Sequence, residues 1–196
     1  MMPFNLAIAC SLMLAVSAIA AEPGKAIGSA VAPITIELFS DFQCPHCKEL
    51  HDETIGPLIN EFVNRNRVFL VRRYYPLPSH AYAKPAAYLA CAAEKIGKYN
   101  EVSNLLYRTQ ETWGANGKVE ETVCSILKPD EAKRIRLLAK DPAVISEVDK
   151  DKALGDAQKI TQTPTMIISH NGKSYPIPGA VSYSMLKRFL DDMLGQ

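Results

Sequence analysis

The 196-residue chain lacks an excess of either charge: 22 Lys and Arg stand against 21 Asp and Glu, for a net charge of +1. That balance offers no field for a phosphate backbone or an anionic membrane surface, so neither nucleic acid nor lipid headgroups are expected partners. From Met1 to Ala21 charged side chains are absent altogether. The sequence holds one Cys-x-x-Cys, formed by Cys44 and Cys47, and neither a second such motif nor an HxxxH pair, which leaves a zinc site short of ligands. Internal repeats and low-complexity tracts are also missing, so neither a repeat array nor a disordered tract is suggested. Tryptophan occurs once, as Trp113, and with the tyrosine-rich segments near it reads as core packing. No cofactor is expected.

The uncharged leader contains the apolar stretch LAIACSLMLAVSAIAA and ends in Ala18-Ile19-Ala20, the small-x-small pattern of a signal-peptidase site. Residues 1–20 are therefore expected to be a signal peptide cut after Ala20, with residues 21–196 as the processed protein. The leading MMPFN has no Lys or Arg, and an uncleaved anchor is the alternative, the run falling just short of a span of about 20 residues. Only nine residues precede Cys10, which leaves little room for a lipidation signal. Export leaves four cysteines, Cys44, Cys47, Cys91 and Cys124, in an oxidising compartment where disulfides persist. A structural Cys91–Cys124 bridge is expected on that ground, with two buried free thiols as the alternative. The processed chain is long enough for one well-cored domain, or one domain with a large insertion.

Residues 34–39, ITIELF, form a short β-branched run bounded by Pro33 and Ser40-Asp41, which predicts a buried strand. Helical periodicity starts at Pro45 and carries Leu50, Ile55, Leu58, Ile59 and Phe62, with Pro57 expected to kink or divide the helix. The run RVFLVRRYY at 67–75 predicts a second strand parallel to the first. From 79 to about 160 the chain offers five helical patterns separated by Gly, Pro or Asp, an all-helical block inside an α/β protein. Strands return at TPTMIISHNGKSYPI, where Asn171-Gly172 predicts a hairpin turn, and Ser182 opens a last amphipathic helix.

A cysteine at a helix start meets unpaired backbone N–H groups and the positive end of the helix dipole, both of which favour the thiolate. Cys44 is therefore expected to be the reactive sulfur and Cys47, one turn in, the shielded one. His46 between them can favour the Cys44 thiolate by charge or by N–H donation. A lowered pKa stabilises the reduced form, so the disulfide becomes a stronger oxidant. Two blander readings stand beside this one. His51 could join the cysteines in a metal site, although three ligands on one helical stretch make a poor one. An inert Cys44–Cys47 staple would close too small a loop to stabilise much. His80 and His170 read as loop or surface residues.

The stretch GSAVAPITIELFSDFQCPHCKEL resembles the active-site segment of DsbA-like thiol:disulfide oxidoreductases, where a GxxxAPxTIxxFxDFxCPxC pattern is common. Thr-Pro-Thr at 163–165 is similar to that family's cis-proline loop, and the order of elements agrees over roughly residues 28–194. The resemblance implies a thioredoxin-like α/β fold with an inserted all-helical domain, the core falling at about 28–78 and 161–196 and the insertion at about 79–160. It implies that Cys44 attacks, with Pro45 following it in the motif, that Cys47 resolves, and that Pro164 is the cis-proline. Glu37 would match the family's buried acid, which helps move the proton of the buried thiol; a strand carboxylate facing solvent is the other reading. Thr163 departs from the Val of the best-known oxidases and is shared with isomerases and reductases. Those relatives carry a separate dimerisation domain, and only residues 21–33 separate the expected cut from the first strand, so a monomeric oxidase is expected.

The implied activity is the oxidation of cysteine pairs in exported proteins, in the periplasm or otherwise outside the cytoplasm, with reoxidation by a quinone-coupled membrane partner. The alternatives are an isomerase or reductase of the same fold, and a thioredoxin-fold protein that binds metal or peptide without turnover.

Overall fold

The computed structural model describes residues 24–195; the leader and its expected cut lie outside them. Five strands make one sheet in the order β1-β3-β2-β4-β5. Its centre is β2 (Ile34–Ser40), where Ile34, Ile36 and Leu38 are buried on one face. β2 pairs in parallel with β3 (Val68–Tyr74), from Ile34 opposite Val68 to Ser40 opposite Tyr74. On its other side it pairs antiparallel with β4 (Thr165–His170), which turns back into β5 (Lys173–Pro178). The turn is Asn171-Gly172, both at positive φ (48° and 74°), the geometry a tight two-residue hairpin turn needs.

One strand escapes the sequence reading: β1 (Ala26–Ile27), two residues in the Gly/Ala/Pro-containing lead that pair antiparallel with β3. A run so short carries no periodicity to read. Gly28 ends it at φ +95°, and a Cβ there would meet the Val68 carbonyl oxygen at 2.7 Å.

Helix α1 (Pro45–Leu50) opens the segment that crosses from β2 to β3. It runs through a π-helical turn at His51–Ile55, a short α2 (Gly56–Leu58) and a second π turn at Ile59–Val63. Pro57 therefore neither stops the segment nor divides it. The hydrogen-bond ladder widens on both sides of the residue that lacks an N–H. Leu50, Ile55, Leu58 and Phe62 from this segment close over Ile34, Ile36, Leu38 and Leu70 of the sheet.

The helical block is α3 (Ala83–Glu94), α4 (Tyr99–Arg108), α5 (Gln110–Asn116), α6 (Val119–Cys124), α7 (Pro129–Leu138) and α8 (Pro142–Ala157). Of these α5 is unforeseen: it follows α4 with only Thr109 between them, and the sequence pattern that predicts α4 stops at Gln110, the first residue of α5. Gly117, at φ 74°, ends it with a left-handed cap. The alanines of α3 bring its axis close to its neighbours, and Trp113 of α5 is fully buried with its indole N–H on the Leu106 carbonyl at 2.8 Å. Truncating so large a buried ring costs about 3–5 kcal/mol. The apolar cluster of the block extends through Phe42 to Cys44 and Cys47, so the cysteine pair lies where this core meets the one under the sheet. Helix α9 (Tyr183–Leu194), capped by the Ser182 hydroxyl, completes the fold, and among the described residues no helix is long and apolar enough to cross a membrane.

Candidate active site

The chain leaves β2 at Ser40 and enters α1 at Pro45, which puts Cys44 at the N-cap in extended conformation (φ −81°, ψ 122°). Pro45 at the first helical position costs no hydrogen bond, since that N–H would have had no partner in the helix. The four described cysteines are thiols, so the pair is seen reduced. Cys44 lies below its ordinary pKa of 9.0, at about 5. The largest cause is a hydrogen bond from Cys47 to the thiolate; burial opposes it, and Thr163 and the backbone N–H groups of Cys47 and His46 add to it. Cys47, only 2 % exposed, moves the other way, well above 9.0, first by burial and then because its proton is held on Cys44. The Asp41 N–H points at Cys47 Sγ from 3.4 Å and partly offsets that rise.

His46 contributes through its backbone. Its imidazole is exposed and turns to Glu49, with Nδ1 3.3 Å from Oε2. The expected side-chain support of the thiolate is thus not what the structure builds; the N–H at the helix start takes that place.

Glu37 is not placed beneath the cysteines. Side chains alternate along β2, and the face toward α1 carries Ile36 and Leu38, while Glu37 points to the other face. There the Arg73 guanidinium donates to its Oε1 at 2.6 and 2.9 Å, and Arg73 also reaches Asp151 of α8 at 3.0 Å. Glu37 is half-buried in an ion-pair network, and it is Leu38 that borders a small cavity together with Cys47. A one-residue offset in a strand of period two moves a side chain through the sheet.

The buried carboxylate near Cys47 is Asp41, 1 % exposed. Its oxygens accept the Gln43 N–H at 2.7 Å and the Leu77 N–H at 2.8 Å, and His80 Nδ1 lies 2.7 Å away. His80, read from sequence as a loop or surface residue, is a partner of this acid across 39 positions. Gln110 of α5 is a second unforeseen contributor. Its amide nitrogen, buried, donates to the carbonyls of Phe42 and Cys44 at 2.7 and 3.0 Å and ties the motif's backbone to the helical block. The short α5 gives no amphipathic pattern that could have revealed it.

Opposite Cys44 stands the loop before β4. The Thr163–Pro164 peptide bond is cis, and Cys44 Sγ lies 3.2 Å from the Thr163 carbonyl, within reach of its S–H. The Thr163 hydroxyl is buried with no hydrogen-bond partner in this geometry, and lies near enough to the cysteines to favour the charged form of both sulfurs. Gly179 donates to the Pro164 carbonyl at 2.8 Å. Between this loop and α1 runs an open groove of about 450 Å³ lined by His46, Glu49, Gln162, Thr163, Gly179 and Ala180.

The remaining expected sites lie elsewhere. His51 stacks on Tyr107 with ring centroids 4.5 Å apart. Among the described residues, the one group of three potential metal ligands within 4.8 Å of one another is Cys91, Glu94 and Glu147, of which Glu147 already pairs with Lys25 and Lys95. Cys91 lies in α3 and Cys124 at the end of α6, two helices that pack against each other; both are free thiols here, and burial raises the pKa of each.

Comparison with known proteins agrees with this geometry. A family model described as Thioredoxin matches residues 20–192. The fold is similar to that of Wolbachia pipientis α-DsbA1, with a TM-score of 0.73 at 21 % identity over 87 % of this chain and 90 % of that one. Pseudomonas aeruginosa DsbA2 gives a TM-score of 0.66 at 26 % identity over 85 % and 92 % of the two chains. Among curated sequences, the Na(+)/H(+) antiporter NhaA 3 of Salinispora tropica is 28 % identical over 153 residues; the match takes in 77 % of this chain but spans only 22 % of the antiporter's length. By family model and fold together, the chain belongs to the thioredoxin family, as a DsbA-like member with a helical insertion.

Proposed function

We propose that this protein oxidises pairs of cysteines in exported proteins by thiol–disulfide exchange through Cys44 and Cys47. The observation that carries the reading is the opposite displacement of the two sulfurs, one down to about 5 and the other well above 9.0. In the oxidised enzyme a substrate thiolate attacks Cys44 Sγ, the Cys44–Cys47 bond breaks, and its electron pair goes to Cys47, which takes up a proton. A second substrate thiolate then attacks the substrate sulfur of the mixed disulfide and releases Cys44 as a thiolate. The substrate loses two electrons and forms its disulfide; the enzyme gains them. Because the Cys44 thiolate is a stabilised leaving group, the second step is fast and the reduced enzyme is favoured.

The groove beside the Thr163–Pro164 loop would hold the substrate backbone, and the DsbA-like resemblance supports a quinone-coupled membrane partner for reoxidation. It also supports an extracytoplasmic location and action as a monomer. Thr163 is the feature that favours an isomerase or reductase instead. A glutathione redox titration decides between them: an oxidase gives a potential far above that of thioredoxin, about −270 mV, toward that of DsbA, about −120 mV. A value near thioredoxin's would favour a reductase, and failure to exchange with glutathione at all would leave only a binding role. Trapping mixed disulfides on the Cys47→Ser variant would identify the substrates.

A further inference from the structure

The oxidoreductase reading leaves one proton without a carrier. Cys47 departs as a thiolate in a place where burial makes the thiolate costly, so a proton has to arrive with the electron pair. Neither Glu37 nor Asp41 is free to deliver it. Glu37 lies on the opposite face of the sheet, bound to Arg73. Asp41 has both carboxylate oxygens engaged by the Gln43 and Leu77 N–H groups and by His80, and only its backbone N–H addresses Cys47.

On the α1 side of the sheet lies a small cavity of about 20 Å³, bordered by Cys47, His51, Ser40, Ser103 and Tyr107 and closed by Leu38 and Leu50. A space of that size, with several polar groups around it, suits a single water molecule. His51 is held against it by its stack on Tyr107 and by a hydrogen bond with Asn104, both from α4, and it is only partly buried, so the ring joins the cavity to solvent.

We propose that His51 carries the proton of Cys47, through one water molecule in the cavity between them. During substrate oxidation the imidazolium, charged from solvent, gives its proton to the water as the water protonates the departing Cys47 sulfur. That uptake balances one of the protons released when the substrate thiols ionise. During reoxidation the steps reverse: neutral His51 takes the Cys47 proton through the water, and the Cys47 thiolate then attacks Cys44 Sγ of the mixed disulfide formed with the oxidising partner. Burial, first, and then the charge of Arg72 from β3 hold the His51 pKa below 6.5, so the ring is mostly neutral at pH 7 and serves as a base; Asp52 and Asn104 oppose that shift and Lys48 adds to it. The other titratable groups around the cavity are Arg73, Tyr74, Tyr99 and Tyr107, of which the three tyrosines have pKa values pushed up by burial and stay protonated near neutral pH.

The test is single-turnover oxidation of a two-cysteine peptide by the disulfide form, followed from pH 5 to 9 by thiolate absorbance, in the wild type, His51→Gln and His51→Phe. The phenylalanine variant keeps the stack on Tyr107 and controls for folding. Both variants should lose about a hundredfold or more in rate at pH 7. The glutathione equilibrium and the Cys44 thiolate titration should stay unchanged, and added imidazole should restore His51→Gln. Wild-type rates and pH profiles in both variants would overturn the proposal, as would a rate loss accompanied by a shifted equilibrium, which marks a structural role. A wild-type protein that fails to oxidise the peptide would instead overturn the oxidoreductase reading.

Discussion

The two cysteine pairs of this protein sit in opposite electrostatic settings. Cys44 occupies a helix N-terminus, where the backbone N–H groups of His46 and Cys47 and the Cys47 thiol converge on its sulfur, and its pKa falls to about 5. Cys91 lies in the interior of α3, where burial pushes its thiol up to about 12. Cys124 ends α6, at the negative pole of the helix, and burial raises its pKa despite Arg136. A buried sulfur becomes a thiolate only when donors outweigh desolvation, and here only the helix start supplies them. Compartment and cysteine count, the grounds for expecting a Cys91–Cys124 bridge, carry no information about that local field.

The largest expected break in the comparison is Cys44→Ser, which should abolish exchange, while Cys47→Ser should keep attack and accumulate mixed disulfides visible on non-reducing gels. Cys91→Ser and Cys124→Ser should leave turnover at the wild-type level.

Alkylation sharpens the contrast. At pH 6 Cys44 should react with iodoacetamide at least about a hundredfold faster than Cys91, read by mass spectrometry of the peptides. If Cys91 and Cys124 instead resist alkylation even after denaturation without reductant, they are bridged.

A pH dependence follows from the sign of the Cys44 shift. Its folded pKa lies below the unfolded value, so the thiolate adds stability to the reduced protein that is complete above about 9 and is lost as pH falls toward about 5. Thermal melts of the reduced protein should therefore gain on those of Cys44→Ser across that window, and a constant difference would contradict the assignment.

Thr163→Val removes a buried hydroxyl that favours the thiolate and has no hydrogen-bond partner in the structure. The Cys44 pKa should rise by up to about one unit, equivalent to about 1.4 kcal/mol, and the disulfide should become less oxidising. Smallest of all should be His46→Ala, since the imidazole faces Glu49 and solvent and the backbone N–H survives the substitution. A change in the thiolate titration as large as that of Thr163→Val would show that the side chain does more than this geometry implies.

Much of this was legible in the sequence because it is local. A β-branched run, a Pro at the first helical position and apolar spacing after it placed Cys44 at a helix start, and Asn171-Gly172 placed the hairpin. Five helical patterns between 79 and about 160 announced the insertion, and the resemblance to DsbA-like proteins added the cis-proline loop at Thr163–Pro164. What was not legible depends on orientation or on distant partners. Glu37 and Leu38 are neighbours in sequence but on opposite faces, and which face meets α1 emerges only from the packed sheet. Asp41 finds His80, and the Phe42 and Cys44 carbonyls find Gln110, across long stretches of chain with no local pattern to announce them.

The account rests on the Cys44 thiolate, and the most direct test is the ultraviolet thiolate absorbance of the reduced protein as a function of pH. One sulfur should titrate with a midpoint near 5, lost in Cys44→Ser, while Cys47 and Cys91 stay silent below pH 9. A single transition near the ordinary thiol value of about 8.5, with nothing below it, would contradict the account.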